Sequence, residues 1–469
     1  MKSPEIYIGI FGHAKHGKST LGGRILADLG ALSKEELLEC EQKVIELRNK
    51  YKGNKDFNKY NVALLKRQSI TEIDRSRTVF PDKGNANLPS GQFATFIDTP
   101  GHEDYLNAIS YGAYQSDLAI VTIDATKGIE LNTINIVRIL KSFGVPIVSI
   151  AVLKMDIVGY SQIRFTELKE EIKIKLFDNL SFLPKEYPPI IPISAFNDID
   201  VSEGVVEFKE IKWFKEKPLI DTIEDYKSNI STDQLEEVRF VIEGEKELFN
   251  IQGHGKILVG LLETGKLKKN DTLFFNPNGI YSDKIHSVRI RSIEYSKPVN
   301  PSVYDSKIAD DHVFKARSII SVGIAKSKHD APLELDDIQK LIRNGAIFSN
   351  DTATLPKKAK QFKCEVSFFE KDKVFVGKEY VLHTHAVNSA VRIYKIDDVY
   401  SDLHYRKRHQ DWVRSIVAEE DQIIETIYFE FLNSGICIDT LSKFHRLTRF
   451  ILRESNKIVA CGRFIEIIS

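Results

Sequence analysis

The chain has 469 residues, 66 Lys+Arg against 66 Asp+Glu, 42% hydrophobic and 28% charged residues; this composition excludes bulk disorder and, at about 150 residues per domain, points to roughly three domains. Cys40, Cys364, Cys437 and Cys461 are scattered with no CxxC pair, which argues against a disulfide framework or zinc site and fits a reducing compartment. No apolar run reaches the roughly 18–20 residues needed to cross a bilayer, and MKSPEIYIGIFG carries no signal-peptide core, so a cytoplasmic location without membrane contact is expected.

Residues 1 to about 227 alternate strand-like and helical stretches. Apolar runs at Ile6–Phe11, Ala94–Asp98, Leu118–Asp124, Ile147–Val152 and Ile190–Ile193 read as strands, with helices predicted over Glu130–Phe143 and Gln162–Leu180. Alternation of this kind implies a doubly wound, mainly parallel sheet with its ligand crevice at the carboxyl ends of the strands. Residues 31–78 form a long insertion. Within it, Leu37, Cys40, Val44, Leu47 and Tyr51 fall on one stripe, which predicts an amphipathic helix. A polar linker is expected over Lys227–Glu237. Beyond it, short runs such as Val238–Ile242, Lys256–Leu262, Thr272–Phe275 and Ser287–Glu294, punctuated by Gly, Asn and Pro, read as small β-barrels. A second polar seam, Asn350–Lys360, precedes another β-rich block. The expected architecture is an α/β domain over residues 1–230 followed by two β domains, 236–356 and 360–469.

Two short motifs carry chemistry. Gly12-His13-Ala14-Lys15-His16-Gly17-Lys18-Ser19 fits G-x-x-x-x-G-K-[ST] between a strand and a helix. Glycines let backbone N–H groups approach phosphate oxygens, Lys18 reaches the β- and γ-phosphates, Ser19 offers a hydroxyl to Mg²⁺, and the helix N-terminus adds its dipole. The loop from His13 through Thr20 is thus the expected phosphate cradle. Asp98-Thr99-Pro100-Gly101 follows the strand that ends at Ile97. An Asp there can hold the cation, and Gly101 can donate its N–H to the γ-phosphate and sense nucleotide state.

GHAKHGKST, DTPGHEDY and the later β domains resemble the translational GTPases, specifically the elongation factor Tu and elongation factor 1-alpha type, to which the GTPase subunit of sulfate adenylyltransferase is related. The resemblance runs through FNIQGHGKILVGLLETGKLKKND in the second domain, and through VLHTHA and VACGRF in the third. It implies a P-loop GTPase domain with two β-barrels, binding GTP and GDP with Mg²⁺. It implies that Thr78, in TEIDRSRTVF, joins Ser19 and Asp98 at the cation, and that His102 orients the attacking water. Lys154 and Asp156 in LKMD would read guanine, with Ser194-Ala195-Phe196 giving backbone contacts to its oxygen. His383 and His385 become ordinary barrel residues rather than metal ligands. No further domain at either end of this sequence sets the expectation against release-factor or selenocysteine-specific members.

Three departures surround the nucleotide. Lys15 replaces the family's Asp, and its ammonium either substitutes for a monovalent cation or points into solvent. Leu153 replaces the Asn of N-K-x-D, removing a hydrogen bond of about 0.5–1.5 kcal/mol, so GTP over ATP with weakened affinity is expected. Ala14 and Arg77 replace an apolar pair beside the histidine, which frees His102, makes Arg77 an internal arginine finger, or leaves Arg77 facing solvent in the switch loop. The resemblance implies aminoacyl-tRNA and the ribosome as partners of a divergent, monomeric switch. The alternatives are a regulatory GTPase subunit of a partner enzyme, or a nucleotide sensor with little turnover.

Overall fold

The computed structural model describes residues 6–50, 82–102, 105–178, 187–195, 205, 207, 209–227, 236–242, 248–251, 255–277, 284–295, 313–316, 318–326, 341–342, 346–369, 372–385, 387–397, 415–418, 423–433, 435–440, 447–455 and 457–469. Arg77, Thr78 and Phe196 lie outside them. The chain divides into two compact units, Met1–Ser231 and Thr232–Ser469.

In the first unit, strands β1 (Ile6–Gly12), β2 (Asp82–Asn87), β3 (Phe93–Asp98), β4 (Leu118–Asp124), β5 (Ile147–Leu153) and β6 (Ile190–Pro192) form one sheet in the order β2-β3-β1-β4-β5-β6. β1, β4 and β5 are buried along their whole lengths, which is why they read as continuous apolar runs rather than alternating ones. All neighbours pair in parallel except β2, which runs antiparallel to β3. The sequence reading did not anticipate β2: DKGNAN carries little strand propensity and is held by pairing with β3, by Thr95 Oγ1 donating to Asn85 Oδ1 at 2.7 Å, and by Gly84 packing close to Leu26.

Helix α1 (Lys18–Asp28) starts at Gly17, which takes φ 89° and contributes no side-chain cap. Helix α2 (Lys34–Lys50) opens with a reciprocal capping box: Glu36 N donates to Ser33 Oγ at 3.1 Å, and Ser33 N to Glu36 Oε2 at 2.7 Å. Its Cys40, Val44 and Leu47 are buried, while Leu38 and Ile45 are exposed. Among the described residues this unit also holds helices α3 (Leu106–Gln115), α4 (Leu131–Ser142), α5 (Gln162–Ile172) and α6 (Leu219–Lys227). The α-helix expected to run to Leu180 stops at Ile172 and widens into a π-helical turn, Lys173–Asp178. That turn delivers Leu176 and Phe177 to the core.

The second unit holds two closed rings of six strands. In the first ring the strands Arg239–Ile242, Gly255–Thr264, Ser318–Lys326, His286–Tyr295, Thr272–Phe275 and Ile347–Ser349 pair in succession and return to Arg239–Ile242. The second ring runs Gln361–Phe368, Ile423–Phe431, Val387–Ile396, Glu379–Thr384, Arg449–Glu454 and Lys457–Ile467, the last pairing with the first. Gln361–Phe368 alternates inward and outward residues strictly, as a barrel wall requires. Phe362, Phe429, Phe431, Phe450 and Phe464 fill that barrel. The stretch read as a polar seam contains a strand, Lys357–Ala359, paired with Ile436–Ile438. Beside it the guanidinium of Arg239, 1% exposed, donates to Asp439 Oδ2 at 3.0 Å, to Val238 O at 3.0 Å, to Ser349 Oγ at 3.2 Å and to Thr354 O.

Candidate nucleotide-binding site

The carboxyl ends of the parallel strands come out together. Ile10 stands opposite Asp98, Gly12 opposite Thr122 and Asp124 opposite Leu153, so the loops that follow β1, β3, β4 and β5 share one crevice, as the doubly wound topology requires.

The loop after β1 turns through three left-handed residues: Gly12 at φ 146°, Lys15 at φ 65° and Gly17 at φ 89°. A Cβ on Gly12 would lie 2.2 Å from Thr122 Oγ1, so glycine is required there. Lys18 Nζ folds back over the loop and donates to the carbonyls of Gly12 and His13, each at 2.9 Å. Burial pushes the Lys18 ammonium down to about 8, with Asp98 drawing it back up. Ser19 Oγ donates to Asp98 Oδ2 at 2.6 Å. A hydroxyl and a carboxylate at this separation form the hard oxygen set that suits Mg²⁺, so these two residues fit that cation. Thr20 follows, half-buried in the first turn of α1.

Asp98 leads into Thr99, whose N–H and hydroxyl both donate to Ile10 O. Gly101 then meets the phosphate loop. A Cβ at Gly101 would sit 2.2 Å from Lys18 Nζ, 2.6 Å from Gly12 O and 2.7 Å from Ala14 N. Asn132 Nδ2, in the first turn of α4, donates to Gly101 O at 2.8 Å. His102 is half-buried, with its ring edge-on to Tyr105 at 6.2 Å between centroids. It stands close enough to His13 to disfavour a charge there.

Beneath the loop, His13 and His16, both read as part of the phosphate cradle, meet Glu130, which the sequence reading passed over. His16 is fully buried. Its Nδ1 is 3.2 Å from Thr122 O, and its Nε2 is 2.6 Å from Glu130 Oε2. A carbonyl only accepts, so Nδ1 carries a proton. The short Nε2–carboxylate contact fixes the ring against Glu130 from the other side. Glu130 also reaches His13 Nε2 at 3.5 Å. Burial pushes both imidazoles below their ordinary range, with Glu130 pulling the other way.

On the opposite side, Lys154 sits at φ 64°. Its Nζ donates to Asp124 Oδ2 at 2.6 Å and to Lys15 O at 2.9 Å. Ser194 Oγ, buried, donates to Asp156 Oδ1 at 2.8 Å, and Ala195 is buried next to it. Leu153 is buried, and its Cδ1 would lie 3.2 Å from a Cβ on Gly17; it packs apolar surface against the phosphate loop where an amide would have bonded. Lys15 itself is exposed, and the recorded contact uses its carbonyl rather than its ammonium. The structure therefore brings together His13, Ala14, Lys15, His16, Gly17, Lys18, Ser19, Thr20, Asp98, Gly101, His102, Lys154, Asp156, Ser194 and Ala195 within one unit. Among the described residues no group of three or more His, Cys, Asp or Glu is placed to hold a metal, and no helix is long and apolar enough to cross a membrane. His383 and His385 are buried in the second barrel, far along the chain from this crevice.

Residues 3–229 match the model of the elongation factor Tu GTP binding domain, and residues 361–465 that of the GTP-eEF1A C-terminal domain-like family. The chain is 26% identical over 463 residues to elongation factor 1-alpha of Methanosphaera stadtmanae, covering 98% of this chain and 97% of the relative. It is 26% identical over 477 residues to elongation factor 1-alpha of Pyrococcus furiosus, covering 99% and 98%. In fold it is similar to the S. cerevisiae Ski7 GTPase-like domain bound to GTP, with a TM-score of 0.76 at 18% identity over 99% of this chain and 97% of that one. It is also similar to translation elongation factor SelB from Methanococcus maripaludis in complex with the GTP analogue GPPNHP, with a TM-score of 0.60 at 17% identity over 100% and 80%.

Proposed function

Because this chain belongs to the translational GTPase superfamily of the elongation factor Tu and elongation factor 1-alpha type, and is a GTPase, we propose that it is a GTP-driven delivery factor, a specialised relative that brings aminoacyl-tRNA to the ribosome and is a monomer when free. In this reading residues 1–230 hold the nucleotide, and residues 236–356 and 360–469 present the cargo. The observation that carries the reading is the contact of Gly101 with Lys18, Gly12 and Ala14. A turn in touch with the phosphate loop moves when a γ-phosphate enters or leaves, and that movement is the switch.

Each residue has a role in this reading. The amides of the loop and of the first turn of α1 bind phosphate oxygens, and Lys18 moves from the Gly12 and His13 carbonyls onto the developing negative charge. Ser19, Asp98 and Thr78 would hold Mg²⁺, which when bound neutralises charge on the β- and γ-oxygens. His102 orients water in line with the γ-phosphate. Asp156 accepts from the guanine N1 and N2 donors, Lys154 lies over the ring, and Ser194, Ala195 and Phe196 line its oxygen.

The test is GTP hydrolysis by the purified chain, alone and then with ribosomes and aminoacyl-tRNA, alongside titration of GTP and ATP. Stimulation by ribosomes is the expected result. Turnover indifferent to ribosomes together with stoichiometric co-purification of a metabolic enzyme assigns the chain instead to the regulatory-subunit branch. No turnover makes it a sensor. Equal affinity for GTP and ATP overturns the guanine reading.

A further inference from the structure

We propose that Asp124 is a positioning residue for the nucleotide: from the carboxyl end of β4 it fixes the Lys154 ammonium that joins the base-side loop to the phosphate loop. The proposal rests on reading Lys154-Met155-Asp156 as the loop that faces the base.

Lys15 and Lys154 both adopt left-handed backbone, a conformation that residues with a Cβ enter at a cost and hold only when their surroundings fix them. The two are tied to each other, Lys154 Nζ donating to Lys15 O at 2.9 Å. The other partner of that ammonium is Asp124 Oδ2 at 2.6 Å. Asp124 is fully buried, whereas the Lys154 side chain is 32% exposed, so the carboxylate is the fixed end of the pair and the ammonium the end that is steered. Its second oxygen is also held: Oδ1 accepts from Thr126 N at 2.8 Å and from Thr126 Oγ1 at 2.6 Å. Burial would raise the Asp124 carboxyl, but hydrogen bonds from Lys154 and Thr126 outweigh it and keep the group ionised. Leu153, beside Lys154, offers the phosphate loop only apolar contact.

A simpler role for Asp124 is visible in the same contacts. Its Oδ1 bonds and its carbonyl, which accepts from Lys127 N and Gly128 N, shape the turn over 124–128. Asp124→Asn separates the two roles. An amide oxygen still accepts from Thr126, but the charge that holds Lys154 is gone, and the amide nitrogen cannot accept from the ammonium.

The experiment uses the full chain and a fluorescent GDP. Asp124→Asn is expected to speed nucleotide release about tenfold, the scale of one lost charge-assisted hydrogen bond, with hydrogen exchange over 118–128 in the nucleotide-free protein unchanged. Lys154→Met should speed release comparably, and the double variant should be no faster than the faster single one, because both remove one connection. Unchanged release in Asp124→Asn overturns the proposal. So does additivity of the two substitutions, or exchange over 118–128 that quickens in step with release, either of which leaves Asp124 as a turn residue alone. Asp156→Asn tests the underlying reading separately. If Asp156 reads guanine, that variant trades GDP for xanthosine diphosphate; if it does not, the base-side assignment fails whatever Asp124 does.

Discussion

Replacing Arg239 by methionine keeps the length of the apolar stem and removes the guanidinium. The structure gives that group four acceptors, Asp439, Val238 O, Ser349 Oγ and Thr354 O, in a site 1% exposed. Arg239→Met therefore leaves the Asp439 carboxylate buried with its countercharge gone, a loss of about 3–5 kcal/mol. The sign with pH follows from Asp439 itself. Burial already lifts its carboxyl above the ordinary 3.8, with Arg239 holding it down. Without Arg239 the folded state holds that proton still more tightly than the unfolded chain does. Its contribution is full below the unfolded value and is lost as pH rises through the folded one. The penalty of Arg239→Met should thus be largest near neutral pH and shrink toward about pH 4. Arg239→Met/Asp439→Leu should recover at least half of the loss, since an apolar pair of similar volume is often no worse than the ion pair it replaces. A chain of several domains does not unfold in one step, so the measurement is hydrogen exchange under graded urea, read on peptides covering 236–242 and 435–440. A cost under about 1 kcal/mol, or one that does not move with pH, refutes the argument.

Three further outcomes are expected. Burial, with Arg453 adding, pushes His383 from 6.5 down to about 3. The folded second barrel therefore binds fewer protons than its unfolded chain, and its stability, full above the ordinary value, falls with pH by about 2 kcal/mol near pH 5. Hydrogen exchange over 379–396 should show this slope in the parent and lose it in His383→Leu, and a parent without the slope contradicts the burial argument. Gly101→Ala places a methyl 2.2 Å from Lys18 Nζ and 2.6 Å from Gly12 O, so single-turnover GTP hydrolysis should drop at least about tenfold while GDP binding is largely kept. Undiminished hydrolysis would remove Gly101 from the switch. His102→Ala should slow hydrolysis by about 10²–10⁴ without changing GTP affinity, and an unchanged rate assigns the water-orienting role elsewhere.

What could be read from the chain was whatever its chemistry keeps close in sequence. Gly12 to Ser19 is one turn of backbone, so its glycines, lysine and hydroxyl announce a phosphate site without help from the fold. The buried strands were legible because a sheet covered on both faces leaves continuous apolar runs. Asp124 and Glu130 were not, because each acquires its meaning from a partner brought by topology. Asp124 meets Lys154 through the pairing of β4 with β5, and Glu130 meets His16 across 114 positions. At Lys15 the sequence left open whether the ammonium stands in for a cation or points into solvent; the left-handed turn exposes the side chain and uses the carbonyl. The strand at Lys357–Ala359 was hidden by its charge, since an edge pairing needs backbone groups and not apolar side chains. Thr78, Arg77 and Phe196 lie outside the described residues, so their parts stand on sequence resemblance.

The two margins of the parallel sheet bear on how this chain behaves in a crowded solution. A sheet margin offers unpaired amides and carbonyls to any passing extended segment, and long, flat, greasy margins seed aggregation. Among the described residues one margin is β2, whose DKGNAN offers charge and amide side chains and no branched apolar residue. The other is β6, three residues long and ending in Pro192, which has no N–H to donate. The greasiest strands of the sheet, β1, β4 and β5, all lie inside it. The apolar strands of this sheet thus lie away from its described margins, and substitutions that add valine or isoleucine to β2 are those expected to promote association through the edge.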